Sequence, residues 1–268
     1  MNRDYVHGYD RRANVRLQDQ ADALVALLHS DTRYPEGSSV LEAGCGVGAQ
    51  TTTLARNSPG ARIVSVDISA DSVASAKAKV EAAGLTNVRF QQADVYAMPF
   101  GRESFDHIFV CFLLEHLSRP LEALAKLKDL LKPGGTITVI EGDHGSTYFH
   151  PDSEAAHAAI RCQVELQRAA GGNANIGREL YPLVRQAGFH AVRVSPRMVY
   201  VDSSRPALDD GFTRKTFTAM IEGVRETAIK AGMMAPADFD AGIRALYRTA
   251  EEDGVFCYTF FKAFGEKG

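Results

Sequence analysis

The chain has 268 residues, a formal net charge of -3, 45% hydrophobic residues and 24% charged residues. That balance belongs to a folded globular chain able to bury a substantial core, and it excludes disordered, collagen-like and disulfide-framework classes. No basic excess points to a nucleic-acid backbone or to insertion into an anionic membrane.

The opening residues Met1 to Asp10 hold no apolar core of the kind a secretory leader needs, and the apolar run Ile108 to Leu114 is far shorter than the ~20 residues of a membrane span. Cys45, Cys111, Cys162 and Cys257 are scattered, without a CxxC pair. No metal site is expected from them, and a cytoplasmic protein with reduced thiols is the expectation.

The elements then follow in order. Leu17, Ala21, Leu24, Val25 and Leu28 recur at helical spacing and predict a helix over Arg12 to His29. Thr32 to Ser38 is a loop and Ser39 to Ala43 a short buried strand. A glycine turn leads into a helix from Gln50 to Asn57. Ala61 to Val66 is the second strand, and Ser69 caps a helix that Gly84 stops. Asn87 to Gln92 and Phe105 to Leu113 are strands three and four. Pro120 to Leu131 is a helix ended by Lys132-Pro133-Gly134-Gly135, and Thr136 to Glu141 is strand five. Strands alternating with helices predict βαβ crossovers and a parallel sheet covered on both faces. Beyond Glu141 come helices over Asp152 to Ala170 and Gly177 to Gln186, and a strand over Val192 to Val201. Helices over Asp209 to Gly232 and Pro236 to Glu252 precede a final strand, Gly254 to Ala263. The chain thus reads as one domain over 1–268, with an N-terminal helical cap over 1–35 and a helical insert, a lid, over 203–253.

The chemistry gathers at Glu42-Ala43-Gly44-Cys45-Gly46-Val47-Gly48, where the first strand hands over to a helix. Glycines let a ligand approach the backbone, and a helix N-terminus favours anionic groups. Gly44, Gly46 and Ala49 also satisfy a dinucleotide fingerprint, with Asp67 placed to hold ribose hydroxyls, so an NAD-dependent oxidoreductase is the alternative reading. Two features separate the readings. Glu42 is awkward beside a pyrophosphate but suits a ligand amino group. Asp94, after strand three, can accept from an adenine amine while Val95 packs on the ring.

These residues resemble the class I S-adenosylmethionine-dependent methyltransferases of the small-molecule type. The resemblance runs over 36–141: Val40 to Gly48, Val66-Asp67-Ile68-Ser69, Ala93-Asp94-Val95, Phe105-Asp106, and Leu131 to Gly135, in order. It implies a Rossmann-like α/β fold with a seven-stranded, mostly parallel sheet whose last strand is antiparallel and inserted between the fifth and sixth. It implies S-adenosyl-L-methionine as cofactor. Gly44, Cys45 and Gly46 would line the methionine part, with Glu42 near its amino group. Asp67 would bind the ribose, and Ile68, Asp94 and Val95 the adenine. Cys111 would border the sulfonium, and Tyr9 would fold over the methionine carboxylate. The run Glu141 to Asp152 and the insert together resemble the teleocidin-type terpenoid C-methyltransferases. A hydrophobic acceptor follows: an isoprenoid, quinone or indole-terpenoid, methylated at carbon or oxygen in natural-product biosynthesis.

Methyl transfer needs a base only where the acceptor must lose a proton. His144, His157 and Tyr200 are the candidates, with His150 and His116 at neighbouring strand ends. Phe212, Phe217, Met220, Ile221 and Met233-Met234 either fill the core or line an apolar pocket. The position after strand four, Cys111 to Leu114, lacks the motif of base-modifying nucleic-acid methyltransferases. A homo-oligomer through the N-terminal helix is an open possibility.

Overall fold

The computed structural model describes residues 24–268. Tyr9, most of the expected N-terminal helix and its oligomer face lie outside the described residues. Residues 24–29 are helical (α1).

The short apolar runs of β1 and β4 become strands because both of their faces are buried. β1 (Ser39–Ala43) pairs in parallel with β2 (Arg62–Asp67) on one side and with β4 (Phe105–Cys111) on the other, Leu41 lying opposite both Val64 and Ile108. β3 (Val88–Gln92) is parallel to β2, and β5 (Leu131–His150) to β4. With β6 (His190–Asp202) and β7 (Val255–Glu266), they form a 7-stranded sheet in the order β3-β2-β1-β4-β5-β7-β6. Near the start of β5, Gly134 donates its N–H to Lys267 O (2.9 Å) and Lys267 donates to Gly135 O (2.8 Å). Further along β5, Ser146 Oγ accepts from Thr259 N–H (3.0 Å). The start of β5 thus faces the end of β7, so β7 is antiparallel and lies between β5 and β6, as expected. Chain order reverses between β1 and β4, the place where open α/β sheets form a crevice at their strand ends.

The crossovers are α2 (Thr51–Asn57), α3 (Ala70–Ala82), α4 (Pro120–Leu130), α5 (Glu154–Ala169) and α6 (Leu180–Gln186). Ser69 Oγ accepts from Ser72 N–H and caps α3, and Ser153 does the same for α5. Pro120 opens α4, where its missing N–H costs nothing.

Contacts divide the chain into two compact units. One comprises Leu28–Glu141, Ile176–Pro196 and Phe261–Gly268. Its core joins Leu41, Ile108 and Val110 of the sheet to Leu124 and Leu127 of α4 and to Leu180 and Val184 of α6. The other contains Gly142–Asn175 and Arg197–Phe260. Its core is aromatic: Phe212 and Phe217 pack on Phe256 and Tyr258, with Phe260 beside them. Phe212, Phe217 and Ile221 are therefore packed core residues, whereas Met233 is partly exposed.

Three elements differ from the sequence reading. β4 stops at Cys111 because Phe112 turns left-handed, at φ 56°. β5 is far longer than Thr136 to Glu141, since its polar second half is held as a strand by pairing rather than by propensity. The helix expected over Asp209 to Gly232 is broken. A short turn α7 (Pro206–Leu208) leads into a π-helix (Asp209–Thr218), then α8 (Ala219–Gly223) and α9 (Arg225–Lys230), before α10 (Pro236–Arg248). The wider π turn brings residues five apart onto one face. Asp209 pairs with Arg214 (3.2 Å), Asp210 with Lys215 (2.6 Å), and Thr216 Oγ1 donates to Gly211 O (2.6 Å). Phe212 and Phe217 keep the same spacing.

Candidate functional site: a glycine loop at the sheet switch point

β1 ends in a loop whose first amides are tied to the neighbouring strand. Gly44 and Cys45 N–H both donate to Val66 O, at 2.8 and 2.9 Å. Two glycines are required by close approach. A Cβ at Gly44 would lie 2.9 Å from Leu113 Cδ1, and one at Gly48 would lie 2.8 Å from Ala76 Cα on α3. Gly46 differs, because a Cβ there would meet nothing within 4 Å. Its backbone borders open space. Its N–H donates to Asp67 Oδ2 (2.9 Å), while Ser69 N–H donates to Oδ1 (2.9 Å). Asp67 is thereby fixed at the end of β2, next to the glycine loop.

Ile68 follows and is 60% exposed, an apolar side chain left uncovered beside that carboxylate. Gln92 Nε2 donates to Ile68 O (2.9 Å) and Ala93 N–H to Asp67 O (2.9 Å), which joins the ends of β2 and β3. Asp94 Oδ1 accepts from Tyr96 N–H (2.9 Å), and Val95 is buried. The structure thus brings Gly44, Cys45, Gly46, Asp67, Ile68, Asp94 and Val95 to the ends of three adjacent strands.

Glu42 is buried directly before the loop. Its Oε2 accepts from Thr51 Oγ1 (2.8 Å) and Ser65 Oγ (2.6 Å). Burial raises its pKa from the ordinary 4.5 to about 7, against the pull of both hydroxyls and with the Asp67 charge adding to the rise. Thr51 and Ser65 are site residues that sequence reasoning missed. The signal was there: Ser65 is a lone small polar residue inside an apolar strand.

This environment gives a pH prediction. The folded state keeps the Glu42 proton longer than the unfolded chain does. The ligand-free fold therefore loses stability as pH rises from the ordinary 4.5 through about 7. A ligand ammonium held beside Glu42 would favour the carboxylate, so its binding would release a proton. Affinity for S-adenosylhomocysteine is expected to fall, toward about tenfold per unit, as pH drops below 7. Calorimetry in buffers of different ionisation enthalpy measures the proton release, and Glu42→Gln should abolish it.

Cys111 closes β4, buried, and desolvation holds its thiol well above the ordinary range. Cys45 is shifted upward in the same way by burial and by the Glu42 and Asp67 charges. Neither thiol is a nucleophile at neutral pH. His116 ends the 3₁₀ turn Leu114–His116, with Nε2 3.6 Å from Glu115 Oε1; burial lowers its pKa despite that carboxylate.

The other candidate histidines, His144, His150 and His157, belong to the second unit. His144 Nδ1 lies 3.1 Å from Ala174 O and 3.1 Å from Tyr258 Oη. A carbonyl only accepts, so the ring proton sits on Nδ1 and the basic nitrogen is Nε2. His157 is paired through Nε2 with Asp152 Oδ1 (2.7 Å) and stacks on Phe149. His144 and His157 both line a cleft of about 180 Å³, with Thr147, Arg161, Glu165 and Asn175. Tyr200 and His150 do not line it. Tyr200 lies partly exposed on β6, and His150 is exposed at the end of β5.

Residues 40–135 match a family described as methyltransferase domain. An uncharacterized 37.1 kDa protein of transposon TN4556 from Streptomyces fradiae is 32% identical over 190 residues, covering 70% of this chain and 54% of that protein. The demethylmenaquinone methyltransferase of Lactococcus lactis is 32% identical over 109 residues, or 40% of this chain and 43% of that one. The chain thus spans about half or less of the length of these curated relatives. Among solved structures, Haemonchus contortus phosphoethanolamine N-methyltransferase 2, bound to phosphomonomethylethanolamine and S-adenosylhomocysteine, aligns with a TM-score of 0.57. At 17% identity over 93% of this chain and 53% of that chain, it shares the fold.

Proposed function

We propose, for a chain that carries a class I S-adenosylmethionine-dependent methyltransferase domain, that it transfers the cofactor's methyl group to a hydrophobic small molecule. The observation that carries this reading is the buried Glu42 carboxyl group set directly before a glycine loop whose Gly46 amide is bonded to Asp67. A carboxylate there opposes a pyrophosphate, which disfavours a dinucleotide, and it matches an amino acid ammonium.

S-adenosylmethionine supplies an electrophilic methyl on its sulfonium. The chain supplies position. Gly46 leaves backbone space for the methionine part, with Glu42 for its ammonium. Asp67 accepts from ribose hydroxyls, Ile68 covers the adenine, and Asp94 accepts from its amine. An acceptor phenol or amine must also lose a proton. His144 and His157 are the candidates to take that proton, His157 oriented by Asp152. The helical segment 203–253 covers the acceptor. Relatives named demethylmenaquinone methyltransferase favour a quinone over an isoprenoid or an indole-terpenoid as acceptor.

The test is transfer of labelled methyl from S-adenosylmethionine to one acceptor of each class. Label is expected in one class, with transfer at saturating cofactor slowed in His144→Gln. No transfer, no binding of S-adenosylhomocysteine and thermal protection by NAD would replace this reading with an oxidoreductase.

A further inference from the structure

Glu141 lies inside the buried stretch of β5, residues 137–144, and has no exposed surface. Its Oε1 accepts from Leu113 N–H (3.0 Å) and Leu114 N–H (2.7 Å). Oε2 is buried and has no hydrogen-bond partner among the described residues. The backbone that supplies these amides is strained. Phe112 is left-handed at φ 56°, a conformation in which Cβ crowds the carbonyl, and its N–H bonds Ile140 O (2.9 Å) on β5. Such a turn persists where its surroundings over-determine it. The next residue, Leu113, lies on the glycine loop: its Cδ1 and Cβ are 2.9 and 3.1 Å from where a Cβ at Gly44 would stand.

We propose that Glu141 is a positioning residue. Through the amides of Leu113 and Leu114 it holds the Leu113 side chain against Gly44 and so sets the course of the loop from Gly44 to Gly46. It touches no cofactor. The role for catalysis rests on the reading of that loop as the cofactor pocket. The contact chain itself, from Glu141 through Leu113 to Gly44, does not.

The group's electrostatics make the idea separable from a charge effect. Burial, with the nearby Glu115 charge, raises the pKa of the Glu141 carboxyl, against the pull of the Leu114, Leu113 and Glu115 amides, and glutamine removes the charge altogether. Glutamine has the same shape and keeps an acceptor oxygen. Alanine keeps neither and leaves two amides without a partner.

Amide hydrogen exchange on the ligand-free full chain tests this first. Glu141→Ala is expected to speed exchange at Leu113, Leu114, Gly44 and Cys45 by about tenfold, the size of coupling between neighbours in one network. Ile63, whose amide bonds Asn87 O across β2, should stay slow. Glu141→Gln should match the wild type. Leu113→Ala should loosen Gly44 and Cys45 alone, and the double variant Glu141→Ala/Leu113→Ala should loosen them no further than either single change. Unchanged Gly44 and Cys45 in Leu113→Ala overturns the proposal, and that variant decides the matter if Glu141→Ala fails to fold. Equal acceleration at Ile63, or a Gln variant as loose as the Ala variant, overturns it too. Calorimetry with S-adenosylhomocysteine is the second arm, with about tenfold weaker binding to Glu141→Ala and near-normal binding to Glu141→Gln. A wild type that takes up none of the ligand counts against the methyltransferase reading, while the exchange data still decide the role of Glu141.

Discussion

Asp67→Ala is expected to weaken S-adenosylhomocysteine binding by about a hundredfold or more. Asp67 has two duties in one carboxylate. It anchors the loop by accepting from Gly46 and Ser69 amides, and the proposed ribose contact uses the lone pairs that remain. Hydrogen bonds to a charged group are each worth roughly 1.5–3 kcal/mol, so losing two ligand bonds alone removes about 3 kcal/mol or more. The loosened Gly46 adds to that. Asp67→Asn, which keeps one acceptor oxygen, should fall between. Titration calorimetry of the three proteins reads the ratio directly. An Ala variant that binds within a few-fold of the wild type would place the cofactor elsewhere in the chain.

Gly48→Val should be the most damaging single change to stability in the loop, by roughly 2–5 kcal/mol. The residue stands at φ 77°, where a side chain costs about 1–2 kcal/mol. Its Cβ would then lie 2.8 Å from Ala76 Cα and 2.9 Å from Ala76 Cβ. A helix backbone cannot step aside as a flexible side chain can, so overpacking adds about 1–3 kcal/mol. Against a typical total of ~5–15 kcal/mol, this is a large fraction. Urea unfolding midpoints measure it. Gly46→Ala is the matched control. It shares the left-handed cost of about 1–2 kcal/mol, at φ 51°, but its Cβ meets nothing in the ligand-free fold, so it should bind S-adenosylhomocysteine less well while losing clearly less stability than Gly48→Val. Equal midpoints for Gly48→Val and the wild type would mean that α2 and α3 shift freely, against the close contact described.

The parts of this site that were legible in the sequence are those set by local rules. Apolar runs such as Ile108-Phe109-Val110 mark strands buried on both faces. The glycine spacing marks a turn into a helix, and Asp67 and Asp94 are found because strand ends recur at regular intervals. Contacts made across the fold left weaker traces. Ser65 and Thr51 are 23 and 9 residues from the Glu42 they serve, and Glu141 is 28 and 27 residues from the amides it holds. Strand five was misjudged for the same reason, since Gly142-Asp143-His144-Gly145-Ser146 has loop chemistry and becomes extended only beside β7. His144 and His157, on β5 and α5, share one cleft, while Tyr200 on β6 does not line it.

The π-helix over Asp209–Thr218 sets how this stretch absorbs a change of length. In the wide turn residues five apart share a face, as residues four apart do in an α-helix. Removing one residue between Phe212 and Phe217 while the segment relaxes to α phasing would therefore leave both rings on one side, with Phe217 still turned to the ring of Phe256. Relaxing to α phasing at the present length would not. Residues five apart would then stand about 140° from one another, and the pairs Asp209–Arg214 and Asp210–Lys215 would part. In related chains a one-residue gap here should therefore be well tolerated, the reverse of what holds inside an ordinary α-helix.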